Sequence, residues 1–193
     1  MNTRDFTLND IHVGSRLYGA LVKHARETQG KPVVYSDLLR MARELYPEDT
    51  ELGNAVPIGI GMKLLFVQEF CEANDYPNLA CLAVNKATML PGPGYKGEWE
   101  RDKRAVGAFD WTQAAHHLDA FIIHAKRAVA KRKRINKEEA AEVLYQNFQV
   151  HRGKYEFFTQ DDKQEMMNLL MEGFDADTAF KHVFEERLTS AEC

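Results

Sequence analysis

The sequence predicts a mainly α-helical protein. A winged-helix-like N-terminal domain (residues 1–98) carries a small β hairpin, and a helical bundle or appendage (residues 99–193) packs on it. Three observations predict this. Apolar residues recur at helical spacing along most of the chain. The exception is Pro77–Tyr95, where Leu79, Cys81 and Ala83 alternate with Ala80, Leu82 and Val84, the pattern of a strand buried on both faces. The resulting order of helix, short strand, helix, helix, strand, turn and strand is that of a helix-turn-helix followed by a hairpin wing.

The first helix is expected over residues 8–29. Thr7 and Asp10 form its capping box, Ile11, Leu17, Tyr18, Leu21 and Ala25 its apolar stripe, and Gly30 and Pro32 its stop. Val33-Val34-Tyr35 is β-prone. Ser36 is the expected N-cap of a second helix, 37–46, burying Leu38 or Leu39, Ala42 and Leu45, and the acidic segment after Pro47 ends it. Pro57 opens a third helix with Ile58, Met62, Leu65, Phe66, Phe70 and Ala73 on one stripe. Asn85-Lys86 turns, Thr88–Leu90 runs back as the second hairpin strand, and the prolines at 91 and 93 end it by removing donors and fixing φ.

The pieces Pro77, Leu79, Leu82, Val84-Asn85-Lys86, Thr88, Pro91-Gly92 and Gly94-Tyr95, with Trp99 and Phe109-Asp110-Trp111 downstream, resemble a signature of uncharacterised prophage and mobile-element proteins. The resemblance spans residues 77–111. It implies a phage or mobile-element origin and no particular activity. Met89 stands where that pattern has glycine.

Residues 96–104 read as a polar bridge. Trp111, Ala114, Ala115, Leu118, Ile122, Ala125 and Val129 predict a helix over 111–133. Asn136 with Glu139 caps the next helix, Thr159 with Asp162 starts another that ends at Gly173, and Asp175 starts the last.

Composition limits function. The formal net charge is −4, hydrophobic residues make up 45%, and no apolar run has the roughly 20 residues of a membrane span. The N-terminal residues hold no apolar signal core, and the terminal SAEC is not a prenylation box. Cys71, Cys81 and Cys193 have no metal or redox spacing, which predicts a reduced, cytoplasmic protein with inert buried thiols at 71 and 81.

Charge is sharply segregated: residues 121–137 carry 7 basic and no acidic side chains, and residues 138–193 carry 5 basic and 13 acidic ones. The basic run predicts a phosphate footprint made by Lys126, Arg127, Lys131, Arg132, Lys133 and Arg134, with Lys86 of the wing assisting. Lys126 and Lys133, and Arg127 and Arg134, share helix faces if the helix runs through them. The competing reading is a solvated helix end neutralised by the acidic segment. The third helix offers only Lys63 and Gln68 to a base edge, beside Glu69 and Glu72, so sequence-specific readout is not expected from it.

Chemical sites are weakly signalled. His116, His117, Asp119 and His124 lack a metal-ligand spacing. Glu98, Glu100, Asp102 and Lys103 have no strand to present them as a nuclease set, and Gly59-Ile60-Gly61 lacks a third glycine. Cys81 follows Pro77 without the His-Arg that accompanies an alkyl-accepting cysteine. The expectation is therefore a non-enzymatic nucleic-acid-binding protein, DNA ahead of RNA, with no cofactor or metal. The alternative is a protein-interaction module, an inhibitor or adaptor acting through the acidic C-terminal surface.

Overall fold

Helix α1 (Leu8–Thr28) is the element the others pack around. Its capping box forms as expected, with the Asp10 amide donating to Thr7 Oγ1 and the Thr7 amide to Asp10 Oδ2, both at 2.9 Å. It buries Ile11, Val13, Leu17, Tyr18, Ala20 and Leu21, more than one face, because α2 (Tyr35–Leu45), α4 (Gly61–Ala73), α5 (Trp99–Ala108) and α6 (Leu118–Ala128) all lie against it. Left-handed backbone at Gln29 and Gly30 ends the helix at the predicted place. The structure, a computed structural model, describes residues 6–112, 114, 117–129 and 131–191. Ala115, His116, Cys193 and both chain ends lie outside the described residues.

Two short strands, β1 (Val33–Val34) and β2 (Ala83–Val84), pair in parallel, Val33 with Ala83 and Val34 with Val84. This corrects the expected hairpin. Residues Leu79–Leu82 are a buried 3-10 turn capped by Asn78, not strand, since an apolar run on both faces is equally compatible with either. Thr88–Leu90 does not return as a strand. The Asn85 side chain accepts from the Ala87 amide at 2.7 Å, and the Asn85 amide donates to the Leu90 carbonyl at 2.8 Å, closing a tight loop.

Other boundaries moved for local reasons. Helix α2 starts at Tyr35 directly after β1, so Ser36 sits inside the first turn rather than capping it, and Leu45 is exposed. The acidic segment after Pro47 holds a short helix, α3 (Thr50–Asn54), capped by Asp49. Pro57 begins a 3-10 turn, Pro57–Ile60, that leads into α4. The predicted polar bridge folds as α5, held to the core by Trp99 Nε1, which donates to the Cys81 carbonyl at 2.8 Å; within the helix, Lys103 Nζ lies 3.7 Å from the centre of the Trp99 ring.

Two buried clusters result. The first runs from Phe6 to Phe121 and includes Val106 and Trp111; the second holds Ala140, Tyr155, Phe158, Met166, Leu170, Ala179 and Val183. Residues 99–129 thus share a core with residues 6–84, and the break falls between Val129 and Ile135 rather than at residue 98. The second cluster is built by α7 (Lys137–Val150), α8 (Gln160–Met171) and α9 (Ala176–Ala191). Their starts at Asn136, Thr159–Asp162 and Asp175 are those the sequence predicts. Helices α8 and α9 pack on the Pro57–Ile60 turn. Among the described residues no helix is long and apolar enough to cross a membrane.

Candidate functional site

The basic run does not lie on one helix. Helix α6 ends at Ala128, and residues 131–136 have no regular secondary structure. The seven-residue pairings of Lys126 with Lys133 and Arg127 with Arg134 therefore do not share a helix face. The physical reason is tertiary: the Ile135 amide donates to the Met171 carbonyl at 3.2 Å, tying this segment to the end of α8. Arg134 pairs with the buried Glu172 at 2.7 Å, and the Arg132 guanidinium lies 4.2 Å from the centre of the Phe174 ring. Two of the six expected phosphate contacts are thus committed to the C-terminal bundle. Lys126, Arg127, Lys131 and Lys133 are exposed, as is Lys86 in the closed 85–90 loop. None of these five forms an ion pair with another of the described residues.

Helix α4 cannot read bases. Lys63 and Gln68, its two suitable side chains, are both buried, and Gln68 Nε2 is bonded to Glu72 at 2.8 Å. Lys63 is instead the centre of a charge cluster absent from the sequence reading. It is 2% exposed. Its Nζ donates to the Gly59 carbonyl at 2.6 Å and faces Asp10 at 3.4 Å and Glu165 at 3.5 Å. Burial pulls its pKa down, but Glu165, Asp10 and Glu186 outweigh that and hold it above the ordinary lysine value. Burial, reinforced by Glu165, pushes the Glu186 carboxyl up to about 8. A Cβ at position 59 would overlap the Glu165 carboxylate, so that side chain would have to move. The sequence signal was a single lysine inside an apolar helix; its partners lie on α1, α8 and α9.

Beside this cluster is a cavity of about 360 Å³. Ile58, Met62 and Leu65, assigned to the core by periodicity, line it, together with Tyr35 and the Pro91–Tyr95 arm. Glu186 closes one side and Lys96 stands on the arm. The arm is held from behind by the Tyr95 hydroxyl, which donates to Asp102.

The remaining candidates have structural employment. Glu100 pairs with Lys103 at 2.8 Å, and the Asp102 carboxylate accepts from the Tyr95 hydroxyl. Burial pushes the thiols of Cys71 and Cys81 up to about 12, far from a nucleophile's range. His12, Asp49 and Glu51 converge, but Asp49 already accepts from His12 Nε2 at 2.8 Å, Arg16 Nε at 2.8 Å and the Leu52 amide at 3.0 Å, which makes it a saturated helix cap. Comparison with protein-family models, curated proteins and solved structures finds no match to this chain.

Proposed function

We propose that the protein is a non-enzymatic nucleic-acid-binding module that grips the phosphate backbone without reading sequence. The carrying observation is the set of four exposed cations, Lys126, Arg127, Lys131 and Lys133, which form no ion pair with another of the described residues and lie at the seam between the two buried clusters. Lys86 adds a fifth contact from the loop that replaces the expected wing. The burial of Lys63 and Gln68 supports backbone binding over base readout. The α1–β1–α2–α4–β2 order supports a winged-helix-like core whose wing is a closed loop. Duplex DNA in a phage or mobile-element setting is the reading that the signature over residues 77–111 favours.

The test is fluorescence anisotropy with labelled duplex DNA, single-stranded DNA and RNA across salt. Five phosphate contacts give a log–log slope of about −4.5 on duplex DNA, so affinity falls about 500-fold between about 50 and 200 mM salt. The double variant Lys131→Ala/Lys133→Ala lowers the slope to about −2.7, leaving a fall of about 40-fold. An unchanged slope in that variant, or no binding at about 50 mM salt, rejects the proposal. In the latter case the exposed apolar side chains Tyr145, Val150 and Phe157 favour the protein-interaction reading.

A further inference from the structure

We propose that the cavity beneath the Pro91–Tyr95 arm is a binding site for a small neutral molecule, a flat apolar body of one or two rings carrying one hydrogen-bond acceptor. The inference stands on the cavity and its walls, and it is independent of the basic run. At about 360 Å³ the space falls within the range of small-molecule sites. An apolar cavity of about 150 Å³ accepts one benzene ring, so this one has room for about two. Ile58, Met62 and Leu65, each half-buried, line it beside the buried Leu64 and Ala83. The arm that covers them is fixed in place. The Tyr95 hydroxyl donates to Asp102, the Tyr95 amide donates to the Gly92 carbonyl at 3.0 Å, and Pro91 and Pro93 each lock their own φ. A stiff arm resists folding down onto the apolar walls, so the space persists and a ligand has little ordering left to impose.

The chemistry of the walls selects the ligand. The charges beside the cavity are already employed. Glu186, on the wall, interacts with Lys63 and Glu165, and Lys63 in turn donates to the Gly59 carbonyl and faces Asp10. Lys96 is exposed on the arm, where water screens it. A ligand ion of either sign would leave water for mostly apolar walls and compete with these existing interactions, an unfavourable transfer. A neutral body avoids that cost and gains the apolar contact. The acceptor follows from Tyr35. Its phenol oxygen accepts from the Gly92 amide, and a phenol has one O–H to donate besides. The fit is close there, since a Cβ on Gly92 would lie 2.9 Å from that oxygen. A ligand carbonyl placed against Tyr35 takes the O–H, while its rings cover Met62 and Leu65.

The experiment titrates the full chain with 2-acetylnaphthalene, 2-naphthoate and 2-naphthylmethylammonium, by calorimetry and amide chemical shifts at pH 7. The ketone is expected to half-saturate the protein below about 1 mM. It should bind at least about tenfold more tightly than either ion, which must lose its hydration. Shifts should concentrate at Ile58, Gly92 and Gly94. Tyr35→Phe removes the donor and should weaken the ketone about three- to tenfold, the net worth of one hydrogen bond. Naphthalene, which has no acceptor, should bind Tyr35→Phe as it binds the wild type. Leu65→Trp should fill the cavity and remove all binding, and Met62→Trp serves the same end if the first variant does not fold. A smaller preference over either ion, a loss below about twofold in Tyr35→Phe, or an equal loss for naphthalene would overturn the assignment. So would binding that survives the filled cavity, shifts remote from the arm, or no binding at about 1 mM ketone.

Discussion

Replacing Lys63 by methionine tests whether the junction between the two buried clusters is electrostatic. Methionine keeps the length and apolar volume of the lysine stem and removes only the charge. The ammonium lies 3.4 Å from Asp10 and 3.5 Å from Glu165. At an effective dielectric of about 20, each contact carries about 5 kcal/mol of gross Coulomb energy, most of it offset by the desolvation of the three groups. Breaking such a buried arrangement from one side typically costs about 3–5 kcal/mol, because the carboxylates stay buried without their cation. For a chain of this length that corresponds to a fall in Tm of about 6–20 °C. The assay is urea and thermal unfolding of both proteins at pH 7 and pH 5. At pH 5 the orphaned carboxyls of the variant can take up protons, so its deficit should shrink. A loss below about 1 kcal/mol at pH 7, or a deficit that does not change with pH, would show that packing alone holds α8 and α9 to the Pro57–Ile60 turn.

Three further outcomes are expected. Glu186 has a folded-state pKa raised from 4.5 to about 8, so the unfolded chain loses this proton first; the contribution is complete below about pH 4.5 and is lost as pH rises through 8. Glu186→Gln should therefore flatten the stability–pH curve between pH 5 and 8, where the wild type loses at most about 3.5 kcal/mol, and a curve unchanged in shape would disprove the assignment. Met89 has φ +55, so Met89→Gly should raise stability by about 0.5–1 kcal/mol in urea titrations; a loss would mean its side chain packs usefully. Gly59→Ala should lower stability by about 1–3 kcal/mol and speed proteolysis within α8 and α9, since the new Cβ displaces Glu165; unaltered cleavage would count against that route.

What could be read from the sequence was what neighbouring residues determine among themselves. The starts at Thr7, Asn136, Thr159 and Asp175 are chemistry between a side chain and an amide two or three residues on, and all four formed. The stop of α1 at Gly30 is of the same kind. What failed depended on distant partners. Helix α5 is polar along most of its length and exists because Trp99 and Val106 reach the first core. The apolar run Leu79–Val84 is buried as expected, yet only the position of β1 makes its last two residues a strand and leaves the rest a 3-10 turn. Residues 131–136 are not helical, and the end of α8 engages their backbone at Ile135. Of the seven expected contact residues, five form no ion pair with another described residue, and the other two, Arg132 and Arg134, meet Phe174 and Glu172 of the acidic segment's own fold. The glycine expected at position 89 has a physical meaning after the fact: the backbone there is left-handed.

The acidity of residues 138–193 also changes meaning once its members are placed. Glu138 and Glu139 lie in the first turn of α7, Asp161 and Asp162 in that of α8, and Asp177 in that of α9, with Asp175 as its cap. Carboxylates at those positions face the positive ends of helix dipoles and are a local requirement of three closely spaced helix starts. Glu165, Glu172 and Glu186 point the other way, into the junction, where they meet Lys63 and Arg134 and where Glu172 also accepts from the Leu8 and Asn9 amides at the start of α1. Nine of the thirteen acidic residues are thus engaged in starting helices or fastening the bundle. Among the described residues, Lys126, Arg127, Lys131 and Lys133 form no ion pair with these acidic side chains. The charge reversal visible in the sequence is therefore met only in part by ion pairs: Arg134 is fastened to Glu172, while those four cations pair with none of the described carboxylates.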